Sequence, residues 1–259
     1  MRLAKRASGP ILDLARMGPR FFVQGLLSRN RAAPVKRIDV RGVRGIDVRP
    51  GDSDFATLRQ VFRDQDYRIG VAAVADRVRA RYDAILSSGR RPVIVDAGAN
   101  IGAASLWFRQ QYPDAAVVAI EPDAANVAML RRNVARTGIH VLDAAIGGEA
   151  GFVSLHNDDG QSWAVQTERA ESGQRIVTVD NALGEVADGA LFIVKIDIEG
   201  FESDLFAANT DWIDAAFVIY VEPHDWLFPG KRTSRSFQRE LARRDFELLI
   251  RGENLIYVR

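Results

Sequence analysis

The chain has 259 residues, 47% of them apolar, a formal net charge of +1 and no cysteine. That length and apolar content allow one sizeable core, and the missing cysteines exclude a disulfide framework and a thiolate zinc site. No run approaches the ~18 uninterrupted apolar residues of a membrane span, and Asp13, Arg16 and Arg20 break any signal-peptide core, so a cytoplasmic protein is expected.

Residues 1–49 hold twelve Lys or Arg against three Asp, which leaves the rest of the chain net acidic. This basic leader is expected to pack loosely on the domain. The alternative is contact with an anionic membrane surface or a neighbouring subunit, with Phe21, Phe22, Leu26 and Leu27 as the apolar face. Next, Ile38, Val40, Ile46 and Val48 alternate around Gly-containing turns, which predicts a short hairpin. Ser53 or Asp54 is placed to cap a helix carrying Phe55, Leu58, Val61 and Phe62 on one face, and a second helix is predicted over 71–89. Residues 1–89 thus read as an N-terminal extension, and 90–259 as the main domain.

From Arg91 the pattern changes to alternating strands and helices. PVIVD, AAVVAIE, HVLDAAI, LFIVKID and FVIYVE are the strand candidates, with helices expected over 102–111, 124–137, 202–209 and 234–244. Continuous apolar runs imply strands buried on both faces, hence an α/β, doubly wound, mostly parallel sheet. GFVSLHN and QRIVTVD read as an inserted hairpin or extra strands, and DFELLIRGENLIYVR as a terminal antiparallel hairpin.

In such a sheet the ligand sits beyond the carboxyl ends of the strands, and here acids stand there in register: Asp96, Glu121, Asp143, Asp197 and Glu222. The loop after the first strand, Gly98-Ala99-Asn100-Ile101-Gly102, has Asn100 where a dinucleotide fingerprint needs its middle glycine, and no Gly-Lys-Ser/Thr follows as a P-loop requires. Gly98 and Gly102 let a ligand approach the backbone, while Asp96 repels a phosphate. A cationic or hydroxyl-bearing ligand is favoured, with Glu121 placed to accept from both hydroxyls of a ribose.

VDAGANIGAASLWF, VAIEPDAANVAMLRRNV, DAAIGGEAG and VKIDIEGFESDLF followed by IYVEPH resemble the FkbM-type S-adenosylmethionine-dependent methyltransferases, and VRPGDSDFATLRQVFRDQDYRI resembles that family's lead-in. The resemblance implies a seven-stranded Rossmann-like methyltransferase sheet and S-adenosylmethionine as methyl donor. Asp96 with Gly98, Ala99, Asn100 and Gly102 would then hold the methionyl end, Glu121 and Pro122 the ribose, and Asp143 or Ala144 the adenine edge.

Methyl transfer needs alignment and, for a hydroxyl acceptor, a base. His224 is expected to take the hydroxyl proton as a neutral imidazole oriented by Glu222, with Asp197 beside it. No metal is expected, although Asp197, Glu222 and His224 offer a divalent cation hard ligands. Lys195 is expected to pair with a neighbouring acid as a structural ion pair. Selectivity is expected from the 149–175 insert, with Asn157, Gln161, Ser162 and Trp163, and from the 223–235 loop, with Trp226, Phe228 and Arg232. Few Lys or Arg line the inferred strand ends, which disfavours nucleic acid. The expected function is an O-methyltransferase acting on a small molecule, sugar or glycan; an NAD-type oxidoreductase and a donor-binding scaffold without turnover are the alternatives.

Overall fold

A computed structural model describes residues 12–27, 34–40, 42–156 and 166–259. Asn157, Gln161, Ser162 and Trp163 lie outside the described residues, as do the side chains of Leu26 and Leu27.

The leader contributes a π-helical turn, Asp13–Met17, and α1, Pro19–Leu27. β1 (Lys36–Val40) and β2 (Val43–Val48) form the expected antiparallel hairpin. α2 (Asp54–Leu58) runs on as a π-helical stretch, Arg59–Asp64, and α3 spans Ala72–Ser87. Neither expected cap acts as one. Ser53 makes no capping bond, and the Asp54 carboxylate instead accepts from the Arg49 backbone N–H at 2.7 Å and from its guanidinium at 2.8 Å. An Arg reaching a fully buried acid offers a charge-assisted bond that outcompetes the neutral cap.

The main sheet has seven strands: β3 (Arg91–Ala97), β4 (Ala116–Glu121), β5 (His140–Asp143), β10 (Gly189–Ile196), β11 (Val218–Val221), β12 (Glu247–Arg251) and β13 (Asn254–Val258). Their order is β12-β13-β11-β10-β3-β4-β5. All neighbours are parallel except β13, which runs antiparallel to both β11 and β12. This is the doubly wound sheet with a terminal hairpin that the apolar runs imply. The chain leaves β3 outward through β4 and β5, then returns on the other side as β10, so the order reverses between β3 and β10. A crevice opens at that switch point.

The single strand expected over HVLDAAI is instead two. β5 ends at Asp143, and β6 (Ala145–Ile146) crosses into a separate four-stranded sheet, β6-β9-β7-β8, with β7 (Gly151–His156), β8 (Gln166–Ala170) and β9 (Gln174–Val177). The Ala144 N–H still bonds the Glu121 carbonyl at 3.1 Å, and from the next residue, Ala145, β6 pairs with β9.

Alternate residues of the central strands enter two cores. One face, with Ile94, Val117, Phe192 and Tyr220, packs under α4 (Ala103–Gln111) and α5 (Ala124–Val134), and also under Phe21, Val48, Leu58, Val61 and Tyr67 of the N-terminal extension. The other face, with Val95, Val118, Val194 and Ile219, is covered by α6 (Val179–Gly184), α7 (Glu202–Leu205), α8 (Trp212–Ala215) and α9 (Arg235–Ala242). α7 is much shorter than the expected 202–209. Phe21 is therefore core, not a membrane-facing residue: it is fully buried, with Phe55 at 5.7 Å and the Arg59 guanidinium over its ring. No helix among the described residues is long and apolar enough to cross a membrane.

Candidate active site

The loop after β3 takes its shape from two left-handed residues, Gly98 at φ 76° and Asn100 at φ 49°. A Cβ on Gly98 would stand 1.7 Å from the Asp197 carbonyl oxygen, so only glycine lets the ends of β3 and β10 close on each other. The Asn100 N–H, turned by that conformation, donates to Glu121 at 2.8 Å. The other Glu121 oxygen accepts from the Asp123 N–H at 3.0 Å and from the Asn126 amide at 3.3 Å. Burial nonetheless pushes the Glu121 carboxyl up to about 7.

A cleft of about 570 Å³ lies over this carboxyl, lined by Gly98, Asn100, Glu121, Pro122 and Ala144, with Phe201 opposite. Those five expected donor residues come together; Ala99 lines an adjoining cavity. The remaining three do not line the cleft. Asp96 is fully buried and accepts from the Ser105 hydroxyl, and its second oxygen lies 3.1 Å from the Lys195 ammonium. It has no free face for a donor ammonium. Its effect reaches the cleft through Lys195, which also donates to the Gly98 carbonyl at 2.7 Å. Lys195 thus forms a structural ion pair: burial opposes its charge, but Asp96, Tyr67 and Asp197 together more than offset this and raise its pKa. Gly102 opens α4 at φ 88°, where a Cβ would meet Leu130 Cδ1 at 2.7 Å, so it is a packing glycine. Asp143 points away, accepting from Gln174 at 2.7 Å, which leaves the Ala144 backbone at the cleft.

Beyond β10, Asp197 is followed by Glu199 at φ 51° and Gly200 at φ 94°, a reversal that aims both acids toward His224. His224 is almost fully buried. Its Nε2 lies 3.5 Å from Asp197, 3.5 Å from Glu199 and 4.0 Å from Glu222. Its Nδ1 bonds Glu202 at 2.7 Å. Two expectations change. Glu202, not Glu222, orients the ring. And the ring is not neutral: burial alone would lower its pKa, but the Glu202 bond and the charges of Asp197 and Glu199 push it up to about 9. With no ion beside it, the ring favours the protonated form at pH 7, which makes it a weaker proton acceptor than a neutral imidazole. Glu222 and Glu199 are both raised, by burial first and by the Asp197 charge second.

Asp197, Glu199, Glu222 and His224 form the floor of a second, larger cavity, open to solvent, whose far wall is the N-terminal extension: Thr57, Gln60, Asp66 and Tyr67. Gln60 Nε2 approaches Glu222 at 3.5 Å. None of these four was expected at the site, although their segment belongs to the family-like lead-in. Arg59 and Arg63 also line this cavity, from the extension and not from a strand end, and Asp13 pairs with both, at 2.9 and 3.0 Å. Of the 223–235 loop, Trp226 stands at the mouth, 61% exposed. Phe228 instead packs over Gly200 and lines a neighbouring recess.

Residues 96–248 match the family model described as the methyltransferase FkbM domain. This chain belongs to the FkbM methyltransferase family. The match begins at Asp96 and so leaves the 53–67 wall outside it. Among relatives, methyltransferase sdnD of Sordaria araneosa is 35% identical over 121 residues, 42% of this chain and 44% of that protein. The 2-O-methyltransferase NoeI of Sinorhizobium fredii is 26% identical over 167 residues, 56% of this chain and 69% of that protein. The FkbM chain thus spans less than half the length of the first of these. Among solved structures, cofactor-bound Rv0187 from MTB is similar at 15% identity and a TM-score of 0.39, covering 94% of this chain and 98% of that one.

Proposed function

We propose that this FkbM-family chain is an S-adenosylmethionine-dependent O-methyltransferase whose acceptor is a hydroxyl of a small molecule or sugar. The observation that carries the reading is the shared wall: Gly98, Asn100, Asp197 and Glu199 line both the cleft and the larger cavity. Two ligands seated in them would meet at the β3/β10 switch point. The donor, when bound, supplies a methyl carbon already activated by its sulfonium. The cleft fits such a donor. Glu121 offers a buried carboxylate to ribose hydroxyls, and Asn100 Oδ1 is buried there without a hydrogen-bond partner. Pro122 and the Ala144 backbone flank it.

The chain's own contribution is alignment. Lys195 and Asp96 fix the loop through the Gly98 carbonyl, and the Glu202 bond holds the His224 ring in place. Asp197, Glu222 and His224 present polar groups where an acceptor hydroxyl would lie, and the carboxylates are the available resting places for its proton. The 2-O-methyltransferase relative supports oxygen as the acceptor atom. Exposed Trp226 lines the same cavity as the Gln60 amide and the Asp66 carboxyl, a combination that suits a ring with several hydroxyls. Isothermal calorimetry with S-adenosylhomocysteine tests the donor half: binding is expected, and its absence in folded protein overturns the reading. Mass spectrometry of a cell extract incubated with methyl-labelled donor then tests the acceptor half.

A further inference from the structure

The acid and histidine cluster in the shared wall has a property that alignment alone does not require. Asp197, Glu199 and His224 each turn one ligand atom toward a common point, all within 4.8 Å of one another. Four carboxylates, Asp197, Glu199, Glu202 and Glu222, surround one imidazole, and the nearby ammonium, Lys195, reaches only Asp197 Oδ2 among them, at 3.4 Å, while it is also held by Asp96 and the Gly98 carbonyl. Such a group of like charges needs a cationic centre. One proton on Nε2 supplies a single unit of positive charge; a divalent ion supplies two.

Independent of the acids, His224 itself is built as a ligand. Its side chain is 1% exposed, and Nδ1 is fixed by the fully buried Glu202 at 2.7 Å. That leaves Nε2 aimed into the cluster, with its nearest oxygens at 3.5 Å, too far for a good hydrogen bond. Glu199 Oε2 is likewise buried and makes no hydrogen bond. A carboxylate behind the distal nitrogen is the arrangement that orients metal-binding histidines. The 3.5 Å spacings of Nε2 from Asp197 Oδ1 and Glu199 Oε2 are what two ligands about 2.1 Å from a common ion subtend near the tetrahedral angle.

We infer that Asp197, Glu199 and His224 form a site for one divalent first-row transition-metal ion, with Glu202 as the positioning residue behind His224 and Mn²⁺ as the spectroscopic probe of the site. One nitrogen and two carboxylate oxygens suit such an ion better than Ca²⁺, which prefers an all-oxygen shell. The trio takes Glu199 in place of the Glu222 considered from the sequence, because Glu222 stands farther from Nε2, at 4.0 Å. Two of the three ligands, Asp197 and Glu199, lie in the wall common to both cavities, so the ion would draw an acceptor oxygen toward the donor cleft; that role rests on the proposed function, whereas the binding does not.

The test is uptake of Mn²⁺ by the full chain after EDTA treatment, followed by the loss of the free-ion electron paramagnetic resonance signal. One ion per chain is expected, displaced by Zn²⁺, which binds such donor sets more tightly. His224→Ala and Glu199→Gln are each expected to abolish uptake. His224 does not line the donor cleft, so retained S-adenosylhomocysteine binding shows that the His224→Ala protein is folded. Glu202→Gln is expected to weaken Mn²⁺ by about 10-fold or more with unchanged urea midpoint. No uptake by the wild type, or uptake that survives His224→Ala in folded protein, overturns the site. Mn²⁺ uptake without S-adenosylhomocysteine binding supports the site while sinking the donor reading, so the two failures are distinguishable.

Discussion

Apart from the wall it shares with the larger cavity, the donor cleft is organised by one run of sequence, Gly98 to Ala144, where a glycine loop and a single buried carboxylate, Glu121, order the backbone around themselves. The larger cavity beside it is assembled from five separated stretches, 53–67, 98–104, 195–199, 222–226 and 252–253, and its charged side chains hold one another. Both use acids at strand ends, but to different effect. In the cleft, N–H groups satisfy the carboxylate; in the cavity, carboxylates and one imidazole compete for too little positive charge. A site built on backbone tolerates side-chain loss elsewhere, whereas a site built on mutual charge does not.

The sharpest way to break the comparison is to remove the group that serves both regions. Lys195→Met takes away the ammonium lying 3.1 Å from Asp96 and 3.4 Å from Asp197. Leaving Asp96 buried and unpaired is expected to cost about 3–5 kcal/mol in urea denaturation; a loss under about 1 kcal/mol contradicts the ion pair's role. Gly98→Ala strikes the backbone side alone. The new Cβ would collide with the Asp197 carbonyl at a positive φ, so a loss of about 3 kcal/mol is expected, together with the loss of S-adenosylhomocysteine binding in calorimetry.

Glu121→Gln sharpens the contrast further, because the charge is gone and the single amide oxygen can accept on one side only, leaving its NH2 facing a loop N–H on the other. S-adenosylhomocysteine affinity is expected to fall by about 1–3 kcal/mol, with Mn²⁺ uptake at the other site unchanged. The wild-type cleft also carries a pH signature. The Glu121 carboxyl, raised to about 7, is neutral below that pH, so donor-product affinity should climb as pH rises through about 7, and the Glu121→Gln protein should show no such climb. The sign for folding is opposite. The folded chain holds this proton between the unfolded value of 4.5 and about 7, so this group's contribution to stability decreases as pH rises through that window. Flat wild-type affinity from pH 6 to 8 would remove Glu121 from donor binding.

The same contrast explains what could be read from the chain itself. The central strands were legible because a sheet covered on both faces needs continuous apolar runs such as those at 92–95 and 191–194. Glu121, Gly98 and Asn100 were legible because a left-handed loop and one acid form a local motif. Asp96, Gly102 and Asp143 sit in the same motif region, yet their partners Lys195, Leu130 and Gln174 are distant in sequence, and no local pattern names them. The break after Asp143 was illegible for a related reason: Ala144 to Ile146 stay apolar while changing sheets. His224 stood out as one of three histidines, but Glu202 rather than Glu222 holds it because the reversal at Glu199 and Gly200 redirects the chain. A strand-face count cannot foresee that.

The smallest expected effect probes the wall that no strand-end reasoning reaches. Gln60 projects from the π-helical stretch after α2, and its amide stands 3.5 Å from Glu222 across the mouth of the larger cavity. At that distance the bond itself is weak, so Gln60→Ala should move the urea midpoint little, by about 0.5 kcal/mol or less in stability. If the 53–67 segment recognises the acceptor, the amide's worth is that of one neutral hydrogen bond to the substrate, about 0.5–1.5 kcal/mol. Acceptor KM should then rise by roughly 2- to 13-fold while kcat and S-adenosylhomocysteine affinity stay put. A change confined to donor affinity would place Gln60 on the other side of the shared wall, and an unchanged acceptor KM would reduce the segment to a lid over a site that recognises its acceptor elsewhere.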